Sequence, residues 1–346
     1  LKRLLTPVVL TCSVLLCLKL ANVKNPIRQL TNAYYIKGYQ ATSENYATDE
    51  IVIVNISDFP TEYIKDQIYI LSKYNPSVIA VDYCVTDTTS IGSAIVFKNT
   101  ILPIVTGPSD SIFYSRNPFT NHAEYGLTSI YSRSFFSPFT EIKKKTYPSF
   151  PTKILQIHDP RRYKKLLERK LEKEIINYSG NTSNFTYLGD LTNLKNLDVL
   201  KDIKGKIVLI GYTGVDDNVP TASDSHDSHP TPKGKMFGVI LIANIVHTLL
   251  GNYINPASKL VMTLLVTFLA IINTYTMYLL FRVRFPYVTM KIIQLLELVG
   301  LFVISSFVIH QFGIALDNEL MSFTVIISPE IAYWYLYLTR KNPFGI

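Results

Sequence analysis

The chain has 346 residues, a formal net charge of +8 and a mildly positive mean hydropathy. That balance is too apolar for an ordinary soluble protein of this length, and membrane spans account for the excess over one typical domain. The positive charge does not signal nucleic acid, because many of the basic residues sit beside apolar spans or on one amphipathic helix. Of the three cysteines, Cys12 and Cys17 lie in an apolar N-terminal run and only Cys84 in the water-exposed part, so no disulfide forms within that part.

Lys2-Arg3 precede an apolar run from Leu4 to Leu18, short of the roughly 20 residues a full span requires. A signal peptide shares this charge and length, but no small-x-small cleavage site follows, and residues 1–21 are read as a retained anchor. Residues 22–49 are polar and connect. Ile51–Ile56 is a strand, followed by Ser57-Asp58, and Pro60 opens a helix with an apolar stripe of Tyr63, Ile64, Ile68, Leu71 and Tyr74. Asn75-Pro76 stops it, and Val78–Asp82 is the next buried strand. Strand, helix and strand at this spacing make a parallel unit. It sets Asp58 and Asp82 at the carboxyl ends of neighbouring strands, where open α/β sheets place ligand crevices.

Ile91–Phe97 reads as a short helix and Ile101–Val105 as a strand. Ser109–Pro151, rich in Ser, Phe, Tyr and Pro, reads as loops and short strands covering the sheet, with Lys143-Lys144-Lys145 a solvated turn. Asp159-Pro160 starts a helix over Arg161–Ile176, with Tyr163, Leu167, Leu171 and Ile175 on one face. Lys204–Lys206 then forms a basic turn before Ile207–Ile210, apolar throughout and so buried on both faces as in a parallel sheet. Gly211 and Gly214 break that strand, and Asp216 and Asp217 follow. After a loop of Ser, Asp, His and Pro, regular structure resumes at Met236, and Phe237–Leu250 carries apolar residues at helical spacing up to Gly251-Asn252.

The order of these pieces (GKIVLIG, an acidic turn, Thr231-Pro232, then MFGVILIANIVHTLL before apolar spans) resembles the CHASE-type-two family, the cyclase- and histidine-kinase-associated sensory extracellular domains. Ile51–Asp58, Val78–Asp82, Tyr125-Gly126-Leu127 and Ile176-Asn-Tyr-Ser-Gly180 also resemble its strands. The likeness covers roughly residues 30 to 255 and, in layout, the helical tail. Where the family has a His before the Ala-Asn pair, this chain has Ile242. The resemblance implies a bacterial inner-membrane protein with a periplasmic sensory domain. No kinase or cyclase output domain is expected after the last span, so a signal would pass to a separate partner in trans.

Three apolar segments follow, Lys259–Phe281, Ile292–Phe312 and Leu320–Leu338, each near the roughly 20 residues that cross hydrocarbon. Arg282, Arg284 and Lys291 follow the first, Asp317 and Glu319 the second, and Arg340-Lys341 the third. The positive-inside rule then puts both termini in the cytoplasm and residues 22–258 outside. Glu297 and Glu330 fall inside spans, where a carboxylate is functional or makes a pair because lipid burial is expensive.

Three candidate chemistries emerge. Asp58, Asp82, Asp216 and Asp217 each follow an apolar strand, and on adjacent strands they would converge to bind a divalent cation or the polar head of a small ligand; the plainer reading is turn capping. Asp224, His226, Asp227 and His229 form a D-x-H-D-x-H cluster of zinc-compatible types, in a loop without rigid support, which favours plain solvation. A metal-dependent hydrolase using Asp58, Asp82 and Asp217 is the least favoured reading, since no nucleophile elbow, Walker loop or His-Glu-x-x-His occurs.

The expected fold class is α/β, a mostly parallel sheet with flanking helices in an extracytoplasmic sensory domain, plus α-helical transmembrane segments. The expected layout is an anchor over 1–21, a sensory domain over 22–258, and three membrane helices with a short cytoplasmic tail over 259–346. The expected protein is not an enzyme and has no resident cofactor. Its partners are the lipid bilayer, a separate membrane or cytoplasmic protein and, in one arrangement, further copies of itself. The rival expectation is a structural accessory subunit of an envelope complex that binds no ligand.

Overall fold

The structure is a computed structural model that describes residues 36, 39–41, 48–56, 61–83, 99–107, 111–115, 123–128, 134–189, 197–214 and 228–341. The anchor expected over 1–21 and the helix expected over Ile91–Phe97 lie outside the described residues. The chain divides into two units. One is Gln40–Tyr253, and the other contains Ile254–Ile346 with the described residues up to Tyr39.

The first unit is built on strands β1 (Thr48–Asn55), β2 (Val78–Val81), β3 (Thr100–Gly107), β4 (Ser111–Tyr114), β5 (Glu124–Leu127), β6 (Phe185–Tyr187) and β7 (Ile207–Gly211). They form one sheet in the order β6-β1-β7-β2-β3-β4, with β5 also paired to β3. Every pairing is parallel except β3 with β4. β7 comes last in sequence and lies in the middle, Ile207 opposite both Ile51 and Val78. The expectation that the first two strands are neighbours is therefore corrected. The physical reason is that β7 has no polar side chain for a solvated edge, whereas a central position buries both its faces.

Alternation along these strands sorts their side chains into two cores. Ile51, Ile53, Val78, Ala80, Ile207 and Leu209 join a cluster with Phe150, Ile154 and Leu155 of α2 (Phe150–His158) and Val239, Ile242 and Val246 of the later helix Gly238–Leu249. Val52, Val54, Ile79, Val81, Val208 and Ile210 instead join Ile64, Ile68 and Leu71 of α1 (Thr61–Ser72), with Leu200 and Ile203. Helices thus cover both faces of a parallel sheet, the α/β architecture that buried parallel strands demand.

Three local expectations change. Within Ser109–Pro151, β4 and β5 extend the central sheet rather than covering it. The hairpin Phe139–Ile142 with Lys145–Pro148 stands apart from it, turning at Lys143 and Lys144. The helix expected over Arg161–Ile176 is α3 (Pro160–Arg169), capped by Asp159 Oδ1, which accepts from the Arg161 and Arg162 amides, and stopped by Lys170 at φ 51°. Beyond it, Glu174-Ile175 pairs antiparallel with Phe135-Phe136. Buried Glu174 receives a two-pronged contact from Arg169, Nε to Oε1 at 2.6 Å and Nη2 to Oε2 at 2.8 Å. A continuous helix would forfeit that pair, and a buried carboxylate needs it. Regular structure also resumes before Met236, in the hairpin β8 (Ser228–Thr231) with β9 (Gly234–Phe237), which leads directly into α4 (Gly238–Leu249).

The second unit holds α5 (Lys259–Leu280), α6 (Pro286–Phe312) and α7 (Asn318–Lys341). Among the described residues, α5 and α6 are the helices long and apolar enough to cross a membrane, by length and composition only. α7 forms where a third span was expected but does not meet that measure. Ser328-Pro329-Glu330 interrupts its apolar run, and Tyr333–Tyr337 dilutes the remainder. Pro329 has no N–H for the Val325 carbonyl one turn back. Gln294 of α6 supplies the missing donor, reaching the carbonyls of Val325 at 2.9 Å and Ile326 at 3.0 Å. Outward, α6 exposes Leu295, Leu296, Val299, Phe302, Val303 and Phe307, a surface that an apolar medium would cover.

Candidate functional site

The carboxyl ends of β6, β1, β7 and β2 lie side by side on one edge of the sheet, because these strands are parallel and consecutive in it. Asn55 ends β1 and is buried. Its Oδ1 accepts from the Thr213 amide at 3.0 Å, and its Nδ2 donates to the Gly214 carbonyl at 2.9 Å. Its own carbonyl accepts from Gln67 Nε2 of α1 at 3.0 Å. One side chain thus pins the segment leaving β7 to the end of β1. Gly214 itself takes a left-handed φ of 107°, a conformation that suits glycine.

Next to this pin, the Thr213 and Tyr187 hydroxyls lie 3.0 Å apart. Tyr212 stacks edge-on against Phe237 with ring centres 5.8 Å apart. At the end of β2, the Asp82 amide donates to the Ile210 carbonyl at 2.7 Å, and the residue remains partly exposed. Gln67 is buried, and its Oε1 has no hydrogen-bond partner among the described residues. The described part of this rim offers a carboxylate, two coupled hydroxyls and a buried amide oxygen. Such a rim suits hydrogen bonding to a small polar ligand.

Of the carboxylates expected here, Asp82 is placed at the rim; Asp58, Asp216 and Asp217 lie outside the described residues. The strands that precede all four are β1, β7 and β2, consecutive in the sheet. Asp224, His226 and Asp227 also lie outside the described residues. His229 is exposed on β8 opposite Met236, so the D-x-H-D-x-H segment runs into a strand rather than staying a loop. Among the described residues, no group of three His, Cys, Asp or Glu side chains is placed to hold a metal. In the helical unit Glu330 pairs with Lys291, and Glu297 is part-exposed on α6, its Oε2 without a hydrogen-bond partner among the described residues.

Sequence reasoning missed Asn55, Thr213 and Tyr187. The signal for Asn55 was present, since an amide inside the otherwise apolar Ile51–Ile56 run is buried only if it is bonded. It also missed a pair at the opposite, amino-terminal edge. There Ser77 Oγ lies 2.6 Å from His158 Nδ1 and donates to the Lys206 carbonyl at 2.9 Å. Burial holds His158 below the usual imidazole range, against the opposing pull of Glu50 and Asp159.

A family model described as CHASE2 domain matches residues 14–280. No curated protein and no solved structure matches the chain.

Proposed function

Because the chain belongs to the CHASE2 domain family, a family of extracellular sensory domains, we propose that it is a membrane-anchored receptor. In this reading Gln40–Tyr253 faces the periplasm of a bacterial cell and binds a small polar ligand at the carboxyl edge of its sheet. The apolar helices hold it in the inner membrane and pass the signal to a separate protein. The observation that carries the reading is the central place of β7, which lines up the ends of β1, β7 and β2 and brings Asn55 and Thr213 onto the rim that Asp82 shares. That edge is where open α/β sheets take ligands. The proposed role is binding, without turnover or a resident cofactor, although the rim's carboxylate leaves a divalent cation compatible with it.

The test is thermal stabilisation of the full chain in detergent by divalent cations and by small polar organic molecules. A stabilising compound should lose its effect in Asp82→Ala and in Thr213→Val; retention of the full effect in both would place its site elsewhere. The outer strand of the sheet favours a second reading. β4 exposes Phe113, opposite exposed Val105 on β3, and Tyr114 on its other face, an apolar outer strand suited to docking in an envelope complex. Stoichiometric co-purification of a neighbour, lost on Phe113→Ser and with no ligand response, would favour that structural role.

A further inference from the structure

α3 presents a face that its own unit leaves uncovered. Leu166 is buried in the core, while Arg161, Lys164, Lys165 and Leu167 are exposed, and Lys170 and Lys173 continue the exposed cations past the end of the helix. Leu167 is an apolar side chain 46% exposed among them. The carboxylates around the inner side are already engaged. Arg162 lies 3.3 Å from Glu50 and 3.4 Å from Asp159, and Arg169 holds Glu174. Arg161, Lys164, Lys165, Lys170 and Lys173 have no ion-pair partner among the described residues. Five unpaired cations thus stand against two exposed carboxylates, Glu168 and Glu172.

The path of the chain limits what can answer that charge. The Arg169 guanidinium, in the last turn of α3, packs over the Tyr253 ring at 4.2 Å. Tyr253 Oη donates to the Leu249 carbonyl at 3.2 Å, and the Asn252 carbonyl accepts from Asn177 Nδ2 at 3.0 Å. The stretch that leaves the α/β unit is thereby fastened beside the end of α3. Lys259, the first residue of α5, comes six positions after Tyr253, and six residues reach about 20 Å at most. The first turns of α5 already expose Leu260, Val261 and Leu264. A bilayer that takes up α5 has its headgroups at that end of the tether. Phosphate groups there match the unpaired cations, and the exposed Leu167 suits the boundary with the acyl chains.

We propose that the basic face of α3 binds the anionic phospholipid headgroups of the leaflet that α5 enters. This rests on the membrane-anchored reading and is independent of any ligand at the sheet edge.

The test is amide hydrogen exchange of the full chain in nanodiscs of phosphatidylcholine alone and of phosphatidylcholine with phosphatidylglycerol. The α3 amides should exchange at least about fivefold more slowly in the anionic discs, the worth of one engaged cation. Salt near 1 M, where screening sets in within about 3 Å, should erase the difference. Lys164→Glu combined with Lys165→Glu should erase it too. The comparison of lipids and salt uses the unsubstituted chain, so it stands even where that variant does not fold. Slow exchange of α5 and α6 in both lipids reports the anchoring itself, and its absence overturns the anchored reading and the lipid site together. Protected α5 and α6 with equal α3 exchange in the two lipids overturn the lipid site alone and leave its cations to an acidic protein. A difference that survives the double substitution or the salt also overturns it.

Discussion

Asn244, at the centre of α4, accepts a hydrogen bond from the Ser179 amide at 2.7 Å across 65 residues of sequence. The same Oδ1 takes the Gly180 amide at 3.2 Å, while Nδ2 donates to the carbonyls of Gly180 and Ile240, each at 2.9 Å. One turn later, Thr248 Oγ1 accepts from the Asn177 amide at 2.9 Å. Asn177–Gly180 belongs to no described strand, and these bonds tie the buried backbone groups at Asn177, Ser179 and Gly180 to the helix.

Replacing Asn244 with Leu removes the partner of the Ser179 and Gly180 backbone groups at a position that is fully buried. At roughly 1–3 kcal/mol for each orphaned group, the expected loss is about 3 kcal/mol or more, visible as a lower urea midpoint with an unchanged slope. Asn244→Asp keeps the acceptor but loses both donors and buries a charge, so it should be at least as damaging. A near-neutral Asn244→Leu would show that the segment is held by other means.

The Ala-Asn signature was legible in the sequence as a family mark, but its structural work was not, because the partner strip lies far away in the chain. The same limit explains the strand order. Apolar runs at Ile51, Val78 and Ile207 mark three buried strands, and because Val78–Val81 is as apolar as Ile207–Ile210, composition does not say which takes the central slot. α2 was missed although its cues are local. Ser149 caps it by accepting from the Thr152 amide, Pro151 sits in its first turn, and Phe150, Ile154 and Leu155 make its buried stripe. Its nine residues abut α3 across Asp159 alone, so the two short helices present no long uninterrupted period. The rim residues Asn55 and Thr213 join only through tertiary pairing of β1 with β7. Asp58, Asp216 and Asp217 were legible as polar ends of apolar strands, and that pattern alone cannot distinguish a turn cap from a ligand.

Gly126, on β5, sits beneath the first turn of α2. A Cβ built there would lie 2.6 Å from the Phe150 Cα, which is backbone and cannot swing aside. Gly211 has a similar approach, 2.6 Å from the Val239 Cβ. Gly126→Ala must therefore push α2 off the sheet and should destabilise the unit by about 1–3 kcal/mol. Gly205→Ala meets no atom within 4 Å and is strained only by its φ of 74°, which makes it the control for backbone strain alone. Urea denaturation of the two variants separates the effects. Equal losses would mean that α2 yields without resistance.

Acid should weaken the α/β unit before its carboxylates titrate. Burial holds both His158 and His247 below the ordinary value of 6.5, and Glu50 pulls both the other way. For a group whose folded value is depressed, the unfolded chain binds the proton more readily, so stability is full above the unfolded value and drains as pH falls through it. The urea midpoint should thus be level above about pH 7 and decline from about 6.5 downward, ahead of the exposed carboxylates near 4. His158→Asn should flatten part of that decline, and His247→Asn another part. Glu50→Gln should steepen it, since it removes the carboxylate that favours both imidazolium forms. A midpoint that rises on mild acidification would mean that Glu50 outweighs burial and that the two histidines are stabilising cations.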